Sequence, residues 1–176
     1  DQTHPIQTLA DLLTLRQSLG DIEKLKVSYI GDPNNVSRPL AIALNMFGNT
    51  LNLSHPKGYG LSASDLNKFE SGNVKVNLVD DPKLAAENAD VIYTDTWYSM
   101  GQEDQKDQRV KDFKDYQINS ELMSRANAEA IFMHCLPAHR GLEVTDEVID
   151  GPQSVVWKQA ENRMHTARGL LSYLCE

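Results

Sequence analysis

The chain has 176 residues, 40% apolar and 24% charged, with a formal net charge of -8. That composition suits one globular domain with its own core, and the acidic balance argues against a nucleic-acid or anionic-membrane partner, since both attract basic surfaces. Cys135 and Cys175 are too few for a disulfide framework and fit a reducing compartment.

The start, Asp1-Gln2-Thr3-His4, has neither the basic nor the apolar part of a signal peptide. It also lacks Met, so the chain is expected to be a piece of a longer or processed polypeptide. Pro5 can open a helix through about Leu19, with Gly20 as its stop. Lys26 to Ile30 reads as a strand, Gly31 to Asn35 as a loop, and the next stretch as a helix to about Phe47, closed by Gly48. Thr50 to Ser54 is a second strand, Ser64 to Glu70 a helix and Val74 to Val79 a third strand. Pro82 to Asn88 forms a short helix and Val91 to Asp95 a fourth strand. Thr96 to Asp107 is polar without a clear period and reads as a long loop, a feature more often functional than idle. Asn119 to Ala126 is helical, Ala130 to His134 is the fifth strand, Ser154 to Trp157 a possible sixth, and Glu161 to Leu174 a closing helix. No apolar run approaches the ~20 residues of a membrane-spanning helix.

Alternating strands and helices, with strands that are almost wholly apolar, predict an α/β fold: a Rossmann-like, doubly wound parallel sheet with helices on both faces, three layers in all. One domain accounts for residues 1–176. Ligands in such sheets collect beyond the carboxyl ends of the strands, near the point where strand order reverses. Three polar sets follow strands there: Asp32, Asn34 and Asn35 after the first, Asp95 after the fourth, and His134-Cys135 after the fifth.

Residue by residue, the chemistry leaves alternatives open. The Gly31 loop has one glycine where a dinucleotide fold needs three, so a nicotinamide cofactor is not expected. Asn35 suits a helix cap or a carboxylate ligand. Asp95 ends a buried strand, where it needs either a cation from the protein or an ammonium from a ligand. Ser99-Met100-Gly101 can aim hydroxyl and N–H groups at an anion. Cys135 is a lowered-pKa thiolate or a buried inert thiol. A zinc site from His134, Cys135 and His139 lacks paired spacing and a fourth ligand, so no metal is expected. His4 and Gln7 share a helix start, and Arg163 can fork onto phosphate or pair with a carboxylate.

Taken in order, His4-Pro-x-Gln7-x-Leu-Ala-Asp, Gly31-Asp-x-Asn-Asn35, Pro56-Lys-Gly-Tyr59, Asp95-Thr-Trp-x-Ser99-Met-Gly101, His134-Cys-Leu-Pro137 and Glu161-Asn-Arg163 resemble the ornithine carbamoyltransferases. The resemblance spans essentially the whole chain. It implies the ornithine-binding domain of an enzyme that moves the carbamoyl group of carbamoyl phosphate to the side-chain amine of L-ornithine, giving L-citrulline and phosphate without metal or cofactor. It further implies that Asn35, Asp95, Ser99 and Met100 hold the amino-acid end of ornithine, and that Cys135, the Leu136 carbonyl and Asp95 orient the attacking amine. His4, Gln7, Cys135 and Arg163 would contact carbamoyl phosphate. Also implied are a missing carbamoyl phosphate-binding domain bearing a Ser-Thr-Arg-Thr loop, a cytoplasmic enzyme of arginine biosynthesis (or of the urea cycle, in the mitochondrial matrix of an animal), and a homotrimer built through the missing domain. Pro33, where the family usually has a small residue, and Pro39 depart from the pattern and bear on how Asn35 is aimed. Two other readings stand beside this one: an amino-acid-binding module without chemistry, and a carbamoyltransferase for a related amine.

Overall fold

A computed structural model of the chain describes residues 3–98, 101 and 103–175. Five parallel strands form one sheet: β1 (Lys26–Ile30), β2 (Thr50–Ser54), β3 (Val76–Leu78), β4 (Val91–Thr94) and β5 (Ile131–His134), in the order β3-β2-β1-β4-β5. The helices are α1 (Pro5–Leu19), α2 (Ser37–Met46), α3 (Ala63–Ser71), α4 (Pro82–Ala86), α5 (Lys106–Phe113), α6 (Ser120–Met123), α7 (Asp146–Ile149) and α8 (Val156–Leu174). The chain builds outward from β1 to β3, then returns to the other side of β1 with β4. The order therefore reverses between β1 and β4, which is where such sheets bind ligands.

Side chains alternate along each strand, so the sheet has an apolar face on each side. Tyr29, Leu51, Leu53, Val91, Tyr93 and Met133 enter one core, closed by Leu15 of α1 and by Leu40 and Leu44 of α2. Ile30, Ile92 and Phe132 enter the other, closed by Ala85 and Ala86 of α4, Leu122 of α6, Val148 of α7 and Val156 of α8. The expected three-layer α/β fold is therefore present. The two ends of the described chain are joined, because Asn162 of α8 donates to Thr14 Oγ1 and Gln17 Oε1 of α1, both at 2.9 Å.

Local chemistry explains most boundaries. Pro5 sits in the first turn of α1, where no N–H is needed, and the N–H of Gly20 closes the helix on the Arg16 carbonyl. Ser62 caps α3 by accepting the Asp65 N–H at 3.1 Å, and Asp81 caps α4 by accepting that of Lys83 at 2.8 Å. Pro39 is the third residue of α2, still within the turn that lacks intrahelical acceptors, so it breaks nothing.

Three expectations change. Ser154 to Trp157 is not a sixth strand: Ser154 makes one isolated bridge to Phe132, and α8 begins at Val156, earlier than the expected Glu161. The polar stretch after β4 is not all loop, since a 3-10 turn at Glu103–Gln105 leads into α5. β3 is shorter than expected because the Val74 N–H is taken by the Phe69 carbonyl at the end of α3.

Gly31 shows why β1 ends where it does. Its φ is +145°, and an added Cβ would lie 3.0 Å from Thr94 Oγ1, which itself donates to the Ile30 carbonyl at 2.6 Å. Gly31→Ala is expected to lower stability by about 1–3 kcal/mol, read from the midpoint of urea unfolding.

Candidate functional site

The loops after β1, β4 and β5, together with the start of α1, surround a cavity of about 890 Å³. His4, Gln7, Asn35, Asp95, Cys135 and Leu136 all line it. Six of the sequence-derived candidates thus converge on one space. Ser99 and Met100 lie outside the described residues. Arg163, on α8, is not part of the lining, but its Nη1 is buried without a hydrogen-bond partner among the described residues and its charge reaches His4.

Asp95 sits at the centre. Its Oδ2 accepts from Asn34 Nδ2 at 2.6 Å, and its Oδ1 from the Thr96 N–H at 2.8 Å and the Cys135 thiol at 3.0 Å. All three donors are neutral, and no ion pair to Asp95 occurs among the described residues. The sequence left open whether the protein supplies a cation here. Among the described residues none does, so a carboxylate that is 8% exposed faces the cavity without a paired cation from them.

Asn35 does not cap α2. Asn34 performs that task, its Oδ1 accepting the N–H groups of Val36 and Ser37 at 2.9 and 3.4 Å while its amide holds Asp95. The adjacent asparagine is thereby released to line the cavity, and Pro33 does not turn it away.

Cys135 is a thiol. Burial pushes its pKa well up, and the neighbouring Asp95 pushes it further. The lowered-pKa alternative is therefore wrong, because low pKa needs a cation nearby and Cys135 faces an anion. Iodoacetamide is expected to label the exposed Cys175 at least about tenfold faster than Cys135 at pH 8, as peptide mass mapping would show.

Ligand atoms of Asp95, His134 and Cys135 lie within 4.8 Å of one another. Each is already engaged: Cys135 donates to Asp95, and His134 Nδ1 accepts the Leu136 N–H at 2.9 Å. Cys135 and Asp95 are thus a hydrogen-bonded pair, while His134 is held separately by the Leu136 N–H. Leu136 adopts φ +56° under this restraint. Behind it, the fully buried Glu143 stands 3.5 Å from His134 Nε2 and accepts the His139 N–H.

Burial and the Arg163 guanidinium lower the His4 pKa, against a smaller pull from Asp95, so the imidazole is neutral near pH 7.

Two groups escaped the sequence reading. Arg109 on α5 donates through Nη1 to Asp32 Oδ2 at 2.6 Å and to the Trp97 carbonyl at 2.9 Å, and its guanidinium lies 5.1 Å from the centre of the Tyr59 ring. It therefore ties the loops after β1, β2 and β4 together. Tyr98 stacks on His139 at 4.8 Å, joining the β4 and β5 loops.

Residues 23–174 match the family model for the Asp/Orn binding domain of aspartate/ornithine carbamoyltransferase. This chain belongs to that family. An ornithine carbamoyltransferase of Caldicellulosiruptor saccharolyticus is 47% identical over 179 residues, covering 99% of this chain and 58% of the relative. One from Synechocystis is 48% identical over 174 residues, covering 97% of this chain and 56% of the relative. Among solved structures, the ornithine carbamoyltransferase from Pyrococcus furiosus superposes with a TM-score of 0.89 at 44% identity, over 98% of this chain and 56% of that one. The family member described here thus spans somewhat more than half the length of these relatives.

Proposed function

We propose that this domain binds L-ornithine and, joined to the remainder of a longer protein, transfers the carbamoyl group of carbamoyl phosphate to the ornithine side-chain amine, releasing L-citrulline and phosphate. The observation that carries this reading is Asp95, a buried carboxylate at the strand-order reversal that, among the described residues, is held by three neutral donors and no cation. An ammonium group supplies the missing charge, and Asn35 beside it offers an amide donor to the carboxylate of the same amino acid. In this reading Ser99 and Met100 hold that carboxylate too.

The attacking amine must lose a proton before it has a lone pair. Asp95, the Cys135 thiol and the Leu136 carbonyl are the acceptors and dipoles that would orient it. Neutral His4, Gln7 and Arg163 would face the carbamoyl group, with the unpartnered Arg163 Nη1 available to an oxygen that becomes negative as the tetrahedral intermediate forms. Retention of Arg163 and of the Cys135 cluster favours an enzyme over a plain binding module, which has no use for them. No residue in this scheme calls for a metal or organic cofactor.

No helix among the described residues is long and apolar enough to cross a membrane. Free Cys135 and Cys175 fit a cytoplasmic protein, as our reading has it, or a mitochondrial matrix protein if the source is an animal. Leu9, Met164, Leu171 and Leu174 are exposed along the α1–α8 face, where the rest of a longer chain would cover them.

The test is turnover. The 176-residue chain alone is expected to form no citrulline from ornithine and carbamoyl phosphate, because too few charges hold the phosphate, whereas the longer protein carrying it should be active. Turnover by the isolated chain would refute the division of labour, and an inactive longer protein would refute the function.

A further inference from the structure

Beneath the cavity lies a carboxylate that the proposed function does not use. Asp11 of α1 has no exposed surface. Its Oδ1 accepts from Gln7 Nε2 at 2.8 Å and Gln159 Nε2 at 2.7 Å, and its Oδ2 from the Tyr93 hydroxyl at 3.1 Å. Gln159 also donates to the Tyr93 oxygen at 3.0 Å, while its own Oε1 accepts the His134 backbone N–H at 3.0 Å. One buried acid therefore joins α1, α8, β4 and β5. Burial raises its pKa to about 7, against the pull of its three donors and of the nearby Arg163 charge. An apolar side chain would fill the α1–α8 seam at less cost, so the acid calls for an explanation.

The geometry supplies one. A side-chain amide has a donor end and an acceptor end, and its neighbours decide which way it turns. Asp11 Oδ1 acts as an acceptor whether the carboxyl is ionised or carries its proton on Oδ2, so it draws Gln7 Nε2 inward, beside the Gln159 amide. Gln7 Oε1 then meets no donor among the described residues, and Gln7 lines the cavity. The spacing of four residues is what puts both side chains on one helix face.

We propose that Asp11 is a positioning residue that fixes the polarity of Gln7, so that the cavity presents a carbonyl acceptor to the N–H groups of a planar, amide-like ligand. In the function proposed above, on which this inference rests, that ligand group is the carbamoyl NH2. Through Gln159 the same carboxylate steadies the backbone of His134, next to Cys135 and Leu136. The carbamoyl and amine sides of the cavity thus share one buried anchor.

The experiment compares carbamoyl phosphate with inorganic phosphate, which lacks the amide-like group. Calorimetric affinities would be measured for the longer protein carrying this chain, as wild type, Asp11→Leu, Gln7→Leu and the double variant, with near-ultraviolet circular dichroism to check folding. Asp11→Leu is expected to weaken carbamoyl phosphate about tenfold while leaving inorganic phosphate within about twofold. The double variant should be no weaker than Gln7→Leu alone, because both changes remove one interaction. Equal losses for both ligands, or losses that add in the double variant, would overturn the positioning role. If Asp11→Leu does not fold, Asp11→Asn decides: its amide no longer dictates which way Gln7 turns, so carbamoyl phosphate alone should weaken about threefold, and no change would overturn the proposal. A wild type that gains no affinity from the carbamoyl group would instead sink the function itself, and the inference with it.

Discussion

Asp95→Ala is expected to weaken L-ornithine binding at least about a hundredfold, the loss of one charge-assisted hydrogen bond in a water-poor site. The substitution also strands the Asn34 amide, the Thr96 N–H and the Cys135 thiol, which all donate to this carboxylate. Some stability is lost with them, about 1–3 kcal/mol for each buried donor that finds no water. Asp95→Asn separates the two effects. It keeps the shape and part of the hydrogen bonding but removes the charge, so affinity should fall nearly as far while stability changes less. Titration calorimetry with ornithine, beside urea unfolding of both variants, checks the pair of outcomes. Unchanged affinity in Asp95→Asn would mean that the carboxylate does not meet an ammonium group.

Arg109→Met is expected to cost about 3–5 kcal/mol of stability, the range for removing one partner of a buried ion pair. Asp32 would be left at 18% side-chain exposure without its guanidinium, and the Trp97 carbonyl would lose a donor. The pH dependence has a definite sign. Burial already raises the Asp32 pKa against the pull of Arg109. A carboxyl whose folded pKa exceeds its unfolded value contributes stability that is full below the unfolded pKa and lost as pH rises through the folded one. Removing Arg109 takes away the restraining charge, so the variant's deficit should be small at acid pH and widen towards neutrality. Urea unfolding of both proteins between pH 4 and pH 8 measures it, and a constant deficit would contradict the buried pair. Because Arg109 ties together three strand-end loops, ornithine affinity should fall in the same variant.

β4 and β5 were legible because nearly all their residues are apolar on both faces, which only a covered parallel sheet tolerates. Lys26 to Ile30 and Thr50 to Ser54 fall where their β-branched and leucine residues put them. α1 runs from Pro5 to Leu19 as read, since Pro5 and Gly20 mark its ends chemically. α5 was not legible: Lys106–Phe113 carries only Val110 and Phe113 as apolar residues, and its inward anchor is the charged Arg109. Val155 and Val156 suggested a strand by β-branching, yet Val156 is buried against the second core from a helix. Propensity yielded there to packing.

At the site, the sequence showed which loops would meet but not which atoms. Two adjacent asparagines are equivalent in a pattern, and only the turn shows that Asn34 caps and braces while Asn35 faces the cavity. The Cys135 alternatives likewise depended on the charge of its neighbour, which Asp95 settles across a separation of 40 residues. Asp11 was not legible: Gln7, Asp11, Thr14 and Ser18 form a polar stripe along α1 that reads as a solvated face, yet the structure buries Gln7, Asp11 and Thr14.

An NMR titration of the isotope-labelled 176-residue chain with L-ornithine goes most directly to the ligand and its place. Saturable shifts are expected at the backbone amides of Asn35, Thr96, Cys135 and Leu136, lost in Asp95→Asn. Shifts confined to the α1–α8 face, or none at millimolar ornithine, would contradict ornithine recognition at the reversal between β1 and β4.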